Sequence, residues 1–170
     1  MQQRKTTSPW VYVLRFIFTL CLICTVVFIF KNSMEAGEFS SIRSEQVMDL
    51  INAVLGKIGL GPLSHHAVRK LAHFAEYAML GFWFMLCLRV YTTRFVRHIS
   101  WPLFVCLLTA NVDETLQTFV SGRAGQLKDV WIDFAGVLCG TAVSLFILLF
   151  VRMCGILWRE SRKERYAYDT

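Results

Sequence analysis

The chain has 170 residues, of which 55% are apolar and 18% are charged, and its net charge is +6 at pH 7. A soluble domain has roughly 45–50% apolar and about 25% charged residues. Disordered chains have the opposite composition, so this class is excluded. The apolar residues lie in four long blocks, each near the roughly 20 residues that cross a bilayer. The composition therefore predicts an integral membrane protein.

The basic net charge is better explained by a membrane protein than by nucleic-acid binding. No run of Lys and Arg is interleaved with aromatic residues, the arrangement typical of proteins that bind nucleic acids. The cytoplasmic loops of membrane proteins collect Lys and Arg. The sequence therefore predicts no nucleic-acid partner.

The first apolar block runs from Trp10 to Phe30 and is interrupted only by Arg15. An Arg near the end of a span can extend its guanidinium to the interface. A cleaved signal peptide is the alternative interpretation. The block is too long for that class, and residues 31–35 lack a small-x-small cleavage site. We therefore predict an uncleaved signal anchor.

Three further apolar blocks complete the predicted membrane domain. With the first block, the predicted spans cover about residues 10–30, 71–88, 101–120 and 130–151. The predicted fold is an all-α, integral membrane four-helix bundle. It divides into an N-terminal segment (1–9), a four-span membrane domain (10–152) and a basic tail (153–170).

The distribution of basic residues predicts that both termini lie in the cytoplasm. This orientation places more Lys and Arg inside than outside, as membrane topology requires. The clearest marker is the short segment Arg89–His98, which is basic and contains no acid. The basic tail from Trp158 to Thr170 would then rest on the anionic inner leaflet or end as a solvated helix.

The outer segment between the first two spans predicts an amphipathic helix. Its apolar residues recur at helical spacing, namely Val47, Leu50, Ile51, Val54, Leu55 and Ile58. Ser44 is its expected N-cap, and the Gly59–Pro62 run is its expected end. Such a helix would lie at the outer interface or on the rim of the bundle, either as a connector or as a lid. Ser64 is the expected cap of the second span.

Ionisable and polar residues in three spans lie on faces that are expected to meet in the outer leaflet. They are Arg69, His73, Glu76 and Tyr77 on the second span, Asp113, Glu114 and Gln117 on the third, and Asp129 and Asp133 on the fourth. Gly136 and Gly140 share the face of Asp133, and such small residues let helices approach closely. The loop 121–126 joins the third and fourth spans at the same level.

The cost of exposing charge to lipid predicts that these groups cluster. A charge at the centre of a span costs on the order of 2.5–3.5 kcal/mol. Glu76, Asp113, Glu114 and Asp133 are therefore expected to face one another and His73, and to pair with Arg69 and Arg123.

Three functions for this cluster remain open. The first is a structural polar network that fixes helix packing and binds no ligand. The second is a binding site for an anionic or glycan-bearing envelope molecule, with anion contacts from Arg69, Lys70, Arg123 and Lys128. The third is catalysis or metal binding, with candidate residues His73, Glu76, Asp113 and Glu114.

The chemistry of these side chains limits the third function. Carboxylates with one imidazole suit a hard or borderline divalent cation rather than Cu(I). No Ser or Cys has a recognisable activating partner, and no zinc-protease or Gly-rich phosphate motif is present. Whether the protein is an enzyme stays open, and a divalent cation is the one cofactor considered.

The same residues resemble the VanZ-like family of small membrane proteins. The resemblance extends from about Lys31 to Val151, and the run Ser33, Gly37, Ser40 and Ser44 resembles the outer loop of that family. It depends on three motifs in order: Arg69-Lys70-x-x-His73-Phe74-x-Glu76-Tyr77-x-x-Leu80-Gly81, then Asp113-Glu114-x-x-Gln117, then Gly122-Arg123-x-Gly125-x-x-x-Asp129-Val130-x-x-Asp133-x-x-Gly136.

The resemblance implies a four-span envelope protein in which the motif residues are important for function. The family is named after a member that confers low-level resistance to the glycopeptide teicoplanin, but resistance belongs to particular members. This chain has Thr115-Leu116 where relatives often have a His before the Gln, and Ser121 where Pro is common. The first departure weakens a two-histidine metal site and leaves His73 as the one well-placed imidazole.

The working hypothesis is a polar site in the outer leaflet. It would engage a membrane lipid or a lipid-linked envelope precursor, and thereby alter the envelope or antibiotic response. The oligomeric state is not predicted. The expected ligand-binding residues are Arg69, His73, Glu76, Tyr77, Asp113, Glu114, Gln117, Arg123, Asp129 and Asp133.

Overall fold

A computed structural model describes residues 8–123 and 125–168, with side chains up to residue 162. Within these residues the secondary structure is helical and contains no strand, which confirms the all-α prediction. The elements are α1 (Pro9–Ser33), α2 (Gly37–Lys57), α3 (His65–Tyr91), a 3-10 helix (Phe95–His98), α4 (Ser100–Gln117) and α5 (Leu127–Tyr168).

Four helical segments are long and apolar enough to cross a membrane. They are α1, α3, α4 with the 3-10 helix before it, and α5 up to Arg162. The helix α3 begins before the predicted apolar block because Ser64 caps it. The Ser64 hydroxyl accepts a hydrogen bond from the backbone N–H of Ala67 at 3.3 Å, as the sequence predicted.

The helix α4 ends at Gln117, earlier than the predicted end of the third span at residue 120. Its last turn tightens into short-range hydrogen bonds from the N–H groups of Thr118, Phe119 and Val120 to carbonyls three residues earlier. Such i to i−3 bonds are a common end of an α-helix. The helix α5, in contrast, continues past Arg152 to Tyr168, so the described part of the predicted tail extends the last span as one helix.

The start predicted for α2 at Ser44 is wrong. The helix begins at Gly37, and the Ser44 hydroxyl instead donates to the Ser40 carbonyl at 2.8 Å inside it. A tertiary contact explains the earlier start, because the Gly37 N–H donates to the carbonyl of Ser121 in the α4–α5 loop at 3.1 Å. The predicted end is confirmed, since α2 stops at Lys57 before Gly59, whose φ is +75°.

The packing of α3 on α5 is the most extensive in the bundle. Gly136 and Gly140 of α5 lie against the α3 backbone at Phe74 and Ala78, and Gly81 of α3 lies against Val137. A Cβ atom at any of these glycines would overlap a backbone carbonyl. The close approach predicted from the glycine spacing is therefore present, and it brings the polar faces of α3 and α5 together.

One long-range hydrogen bond joins the helices at each end of the bundle. Arg123 in the α4–α5 loop donates to the carbonyl of Asn32 at 2.8 Å, which joins the loop to the end of α1. Arg15 donates to the carbonyl of Val90 at 3.0 Å, which joins the start of α1 to the end of α3. We call the end that contains Asn32 and Arg123 the site end.

Candidate functional site

One side chain from each of three helices meets at the site end. His73 of α3, Asp113 of α4 and Asp133 of α5 place one nitrogen or oxygen atom each within 4.8 Å of the others. Both aspartates are fully buried. His73 Nδ1 lies 4.0 Å from Asp133 Oδ1. The structure thus brings together these three predicted site residues, which we call the His–Asp cluster.

The His–Asp cluster has unused hydrogen-bonding capacity. Among the described residues, nothing donates a hydrogen bond to either carboxylate oxygen of Asp133. His73 Nδ1 also lacks a hydrogen-bond partner there. An unsatisfied buried polar group costs about 1–3 kcal/mol, and a charged group costs more. The cluster is therefore able to accept a further partner.

Glu114 and Gln117 connect the end of α4 to α1 and to the α4–α5 loop by hydrogen bonds. The Gln117 amide nitrogen lies 3.4 Å from the Ser33 hydroxyl of α1, 3.3 Å from an Asp113 oxygen and 3.4 Å from a Glu114 oxygen. The other Glu114 oxygen accepts a hydrogen bond from the Gln126 N–H at 2.9 Å. These contacts hold Asp113 in place and fix the end of the α4–α5 loop, directly before α5.

The predicted pairing of Arg69 and Arg123 with the embedded acids is wrong. No described carboxylate lies within 4.0 Å of either guanidinium. Arg123 is instead held by the Asn32 carbonyl, and the Asn32 amide donates to Glu76 at 2.8 Å. Asn32 therefore lies between Arg123 and Glu76 and contacts both, in place of a direct ion pair between them.

Arg123 keeps two donor atoms for another partner. Its Nε and Nη1 atoms are buried and have no hydrogen-bond partner among the described residues. Partial burial and the nearby charge of Arg69 lower the pKa of the Arg123 guanidinium from its usual value. Arginine nonetheless stays protonated at neutral pH. Arg69 and Arg123 thus place two positive charges near one another, and neither has a described carboxylate within 4.0 Å.

Two cavities open beside the His–Asp cluster, and Arg69 and His73 line both. The first, which we call the α2 cavity, lies between α1, α2 and α3 and has a volume of about 240 Å³. Its lining also includes Phe28, Asn32, Arg43, Val47, Glu76 and Arg123. The second, which we call the α5 cavity, lies between α3 and α5 and measures about 210 Å³. Its lining also includes His66, Lys70, Gln126, Asp129 and Asp133.

The outer cations differ in their availability. Lys70 pairs with Asp129 at 3.2 Å, and Arg43 pairs with Glu35 at 2.7 Å. Lys128, one of the anion contacts considered from the sequence, is exposed and lines neither cavity. Arg69 and Arg123 are therefore the two cations that line a cavity without a carboxylate partner in the described structure.

Sequence reasoning did not include Asn32, Ser33 and Arg43 among the site residues. Asn32 contacts Glu76 and Arg123, Ser33 contacts Gln117, and Arg43 lines the α2 cavity. A signal existed for the first two. Asn32 and Ser33 are polar residues just beyond the first apolar span, after Lys31. Nothing near Arg43 in the sequence indicated that it would reach the site, because the position of α2 depends on tertiary contacts.

Comparison with known proteins agrees with the resemblance found in the motifs. A family model described as VanZ/LLP1 matches residues 16–151. The matched range contains the whole His–Asp cluster and every side chain that lines the two cavities. No curated protein and no solved structure matches the chain.

Proposed function

The chain belongs to the VanZ-like family of membrane proteins, and we propose that its site end binds the phosphate group of an anionic envelope lipid. The lipid would be a phospholipid or a lipid-linked envelope precursor, since both present the same phosphate chemistry. A change in the response to teicoplanin-type glycopeptides would follow from the altered availability of that lipid.

The observation that carries this proposal is the pair of guanidinium groups in the α2 cavity. Arg69 and Arg123 line it without a carboxylate within 4.0 Å, and two Arg123 donor atoms are buried and unpartnered. Guanidinium groups bind phosphate through paired, charge-assisted hydrogen bonds. A phosphate between the two arginines would satisfy the buried donors and offset the repulsion between the two cations.

The size and lining of the α2 cavity favour a headgroup over a whole glycan. Its volume of about 240 Å³ is below the roughly 300–1,000 Å³ of pockets that enclose a drug-sized ligand. Phe28 and Val47 line the cavity and are partly exposed on the surface of the helices. A lipid could therefore place its phosphate in the cavity while its chain stays in the bilayer.

Replacing either arginine by glutamine is expected to weaken lipid binding by about 10-fold or more. A hydrogen bond to a charged group contributes about 1.5–3 kcal/mol, which corresponds to roughly 10–100-fold in affinity. The full chain in nanodiscs would be titrated with a polyprenyl phosphate, with phosphatidylglycerol and with uncharged diacylglycerol. Arg69→Gln, Arg123→Gln and wild type would be compared by native mass spectrometry.

Lys128→Gln is the matched control, because it removes one exposed positive charge at the same end of the bundle. This variant is expected to bind within 2-fold of wild type. Preference for either phosphate lipid identifies the source of the ligand, and binding of diacylglycerol equal to both would contradict the proposal. In a glycopeptide-sensitive cell, any teicoplanin phenotype of wild type should be lost in Arg123→Gln and kept in Lys128→Gln.

The proposed site lies in the outer leaflet, with both termini in the cytoplasm, and cysteine labelling tests this orientation. The six native cysteines would first be replaced by alanine or serine. A single cysteine at Ser121 is then expected to react with a membrane-impermeant maleimide in intact cells, because the α4–α5 loop would face outward. A cysteine at Thr93 should react only after permeabilisation. The reverse pattern would place the site end inside and refute the orientation.

A further inference from the structure

We propose that His73, Asp113 and Asp133 bind a divalent transition-metal cation where α3, α4 and α5 meet. The proposal depends on the geometry and burial of these three side chains. It does not depend on lipid binding in the α2 cavity.

The geometry of the His–Asp cluster is close to that of a metal site. Its three ligand atoms lie within 4.8 Å of one another. Bonds from zinc to nitrogen or oxygen are about 2.0–2.2 Å, so two ligands at a tetrahedral angle around one ion are about 3.3–3.6 Å apart. The three ligand atoms must therefore approach one another by up to about 1 Å to share one ion, which rotation of the side chains can supply.

The unsatisfied atoms of the cluster point to a cation. Asp133 is fully buried, and neither of its oxygens has a hydrogen-bond donor in the described structure. His73 Nδ1 also has no hydrogen-bond partner there. No Lys or Arg side chain among the described residues lies within 4.0 Å of either aspartate. Because buried carboxylates are costly without a counter-charge, one divalent cation would compensate both.

The ligand set indicates which metals fit. Two carboxylates and one imidazole are suited to Zn²⁺ or Mn²⁺, since Ca²⁺ and Mg²⁺ prefer oxygen ligands alone and Cu(I) prefers sulfur. Three protein ligands leave at least one coordination position for water or for an oxygen of a bound molecule. His73 and Asp133 also line the α5 cavity, which gives this position a route to the outside.

Metal analysis of the purified full chain tests the proposal. Wild-type protein would be equilibrated with Zn²⁺, Mn²⁺ or Mg²⁺, freed of excess ion and analysed by inductively coupled plasma mass spectrometry. About one equivalent of Zn²⁺ or Mn²⁺ per chain is expected, with little Mg²⁺ retained. Asp133→Asn and His73→Gln are expected to lose at least 10-fold in affinity, because each removes a ligand.

Thr141→Val is the matched control, since Thr141 is a buried residue of α5 whose hydroxyl also lacks a partner among the described residues. This variant should bind metal like wild type. Arg69→Gln and Arg123→Gln should bind it at least as tightly, because each removes a positive charge from a cavity that His73 also lines. Retention of less than about 0.1 equivalent by wild type, with no change in melting temperature on adding Zn²⁺ or Mn²⁺, would overturn the proposal. Folded ligand variants with wild-type affinity would also overturn it. If the ligand variants do not fold, the wild-type metal content and melting shift decide.

Discussion

Replacing Gly140 by alanine is expected to lower the free energy of unfolding by about 2–3 kcal/mol, the upper part of the range for an overpacked core. The added Cβ would overlap the carbonyl of Ala78 on α3. A backbone carbonyl cannot rotate aside as a flexible side chain can, so α3 and α5 must separate. These two helices form the most extensive interface of the bundle. Unfolding in detergent, followed by circular dichroism during titration with sodium dodecyl sulfate, measures the change.

Gly155 supplies the control on the same helix. A Cβ at Gly155 would meet nothing within 4 Å. Because alanine is favoured over glycine in helices by up to about 1 kcal/mol, Gly155→Ala is expected to be neutral or mildly stabilising. Equal effects of the two substitutions would contradict the close approach of α3 and α5. The Gly140 variant should also lose metal affinity, since separation of these helices moves Asp133 away from His73.

The positions of the four long apolar helices follow from the sequence because a bilayer requires about 20 apolar residues per span. The face occupied by His73, Glu76 and Tyr77 was predictable for a similar reason, since residues three or four apart share one side of a helix. Gly136 and Gly140 then indicated which side of α5 approaches another helix. These features depend on local periodicity in the sequence and on what a bilayer requires of a span, and neither involves a contact that is distant in the chain.

Other features depend on partners that are distant in the chain. The start of α2 is fixed by Gly37 against Ser121, a contact that no pattern near Ser44 reveals. Electrostatics alone favoured ion pairs between Arg123 and the embedded acids. The structure instead places Asn32 between Arg123 and Glu76. An asparagine can accept a hydrogen bond from a cation with its backbone carbonyl and donate one to a carboxylate with its side-chain amide. Because asparagine is uncharged, pairing opposite charges along the sequence did not predict this arrangement.

The two interpretations of α2, as a connector or as a lid over the site, can be separated at Gly37. A Cβ at Gly37 would overlap the carbonyl of Gly122, whose φ of +75° belongs to a tight loop. Gly37→Ala is therefore expected to release the start of α2 from the loop without unfolding α3 or α5. Amide hydrogen exchange in residues 38–44 should accelerate by about 10-fold or more, because that docking contact is lost.

The consequence for binding distinguishes the two roles. Arg43 and Ser44 of α2 line the α2 cavity, so a released helix opens one wall of the proposed phosphate site. If α2 acts as a lid, Gly37→Ala weakens polyprenyl phosphate binding by about 10-fold, whereas metal binding at His73 is unchanged because α2 supplies none of the three ligands. Gly56→Ala is the control near the other end of α2, where a Cβ would meet nothing within 4 Å. Faster exchange in Gly37→Ala with unchanged lipid binding would instead identify α2 as a connector.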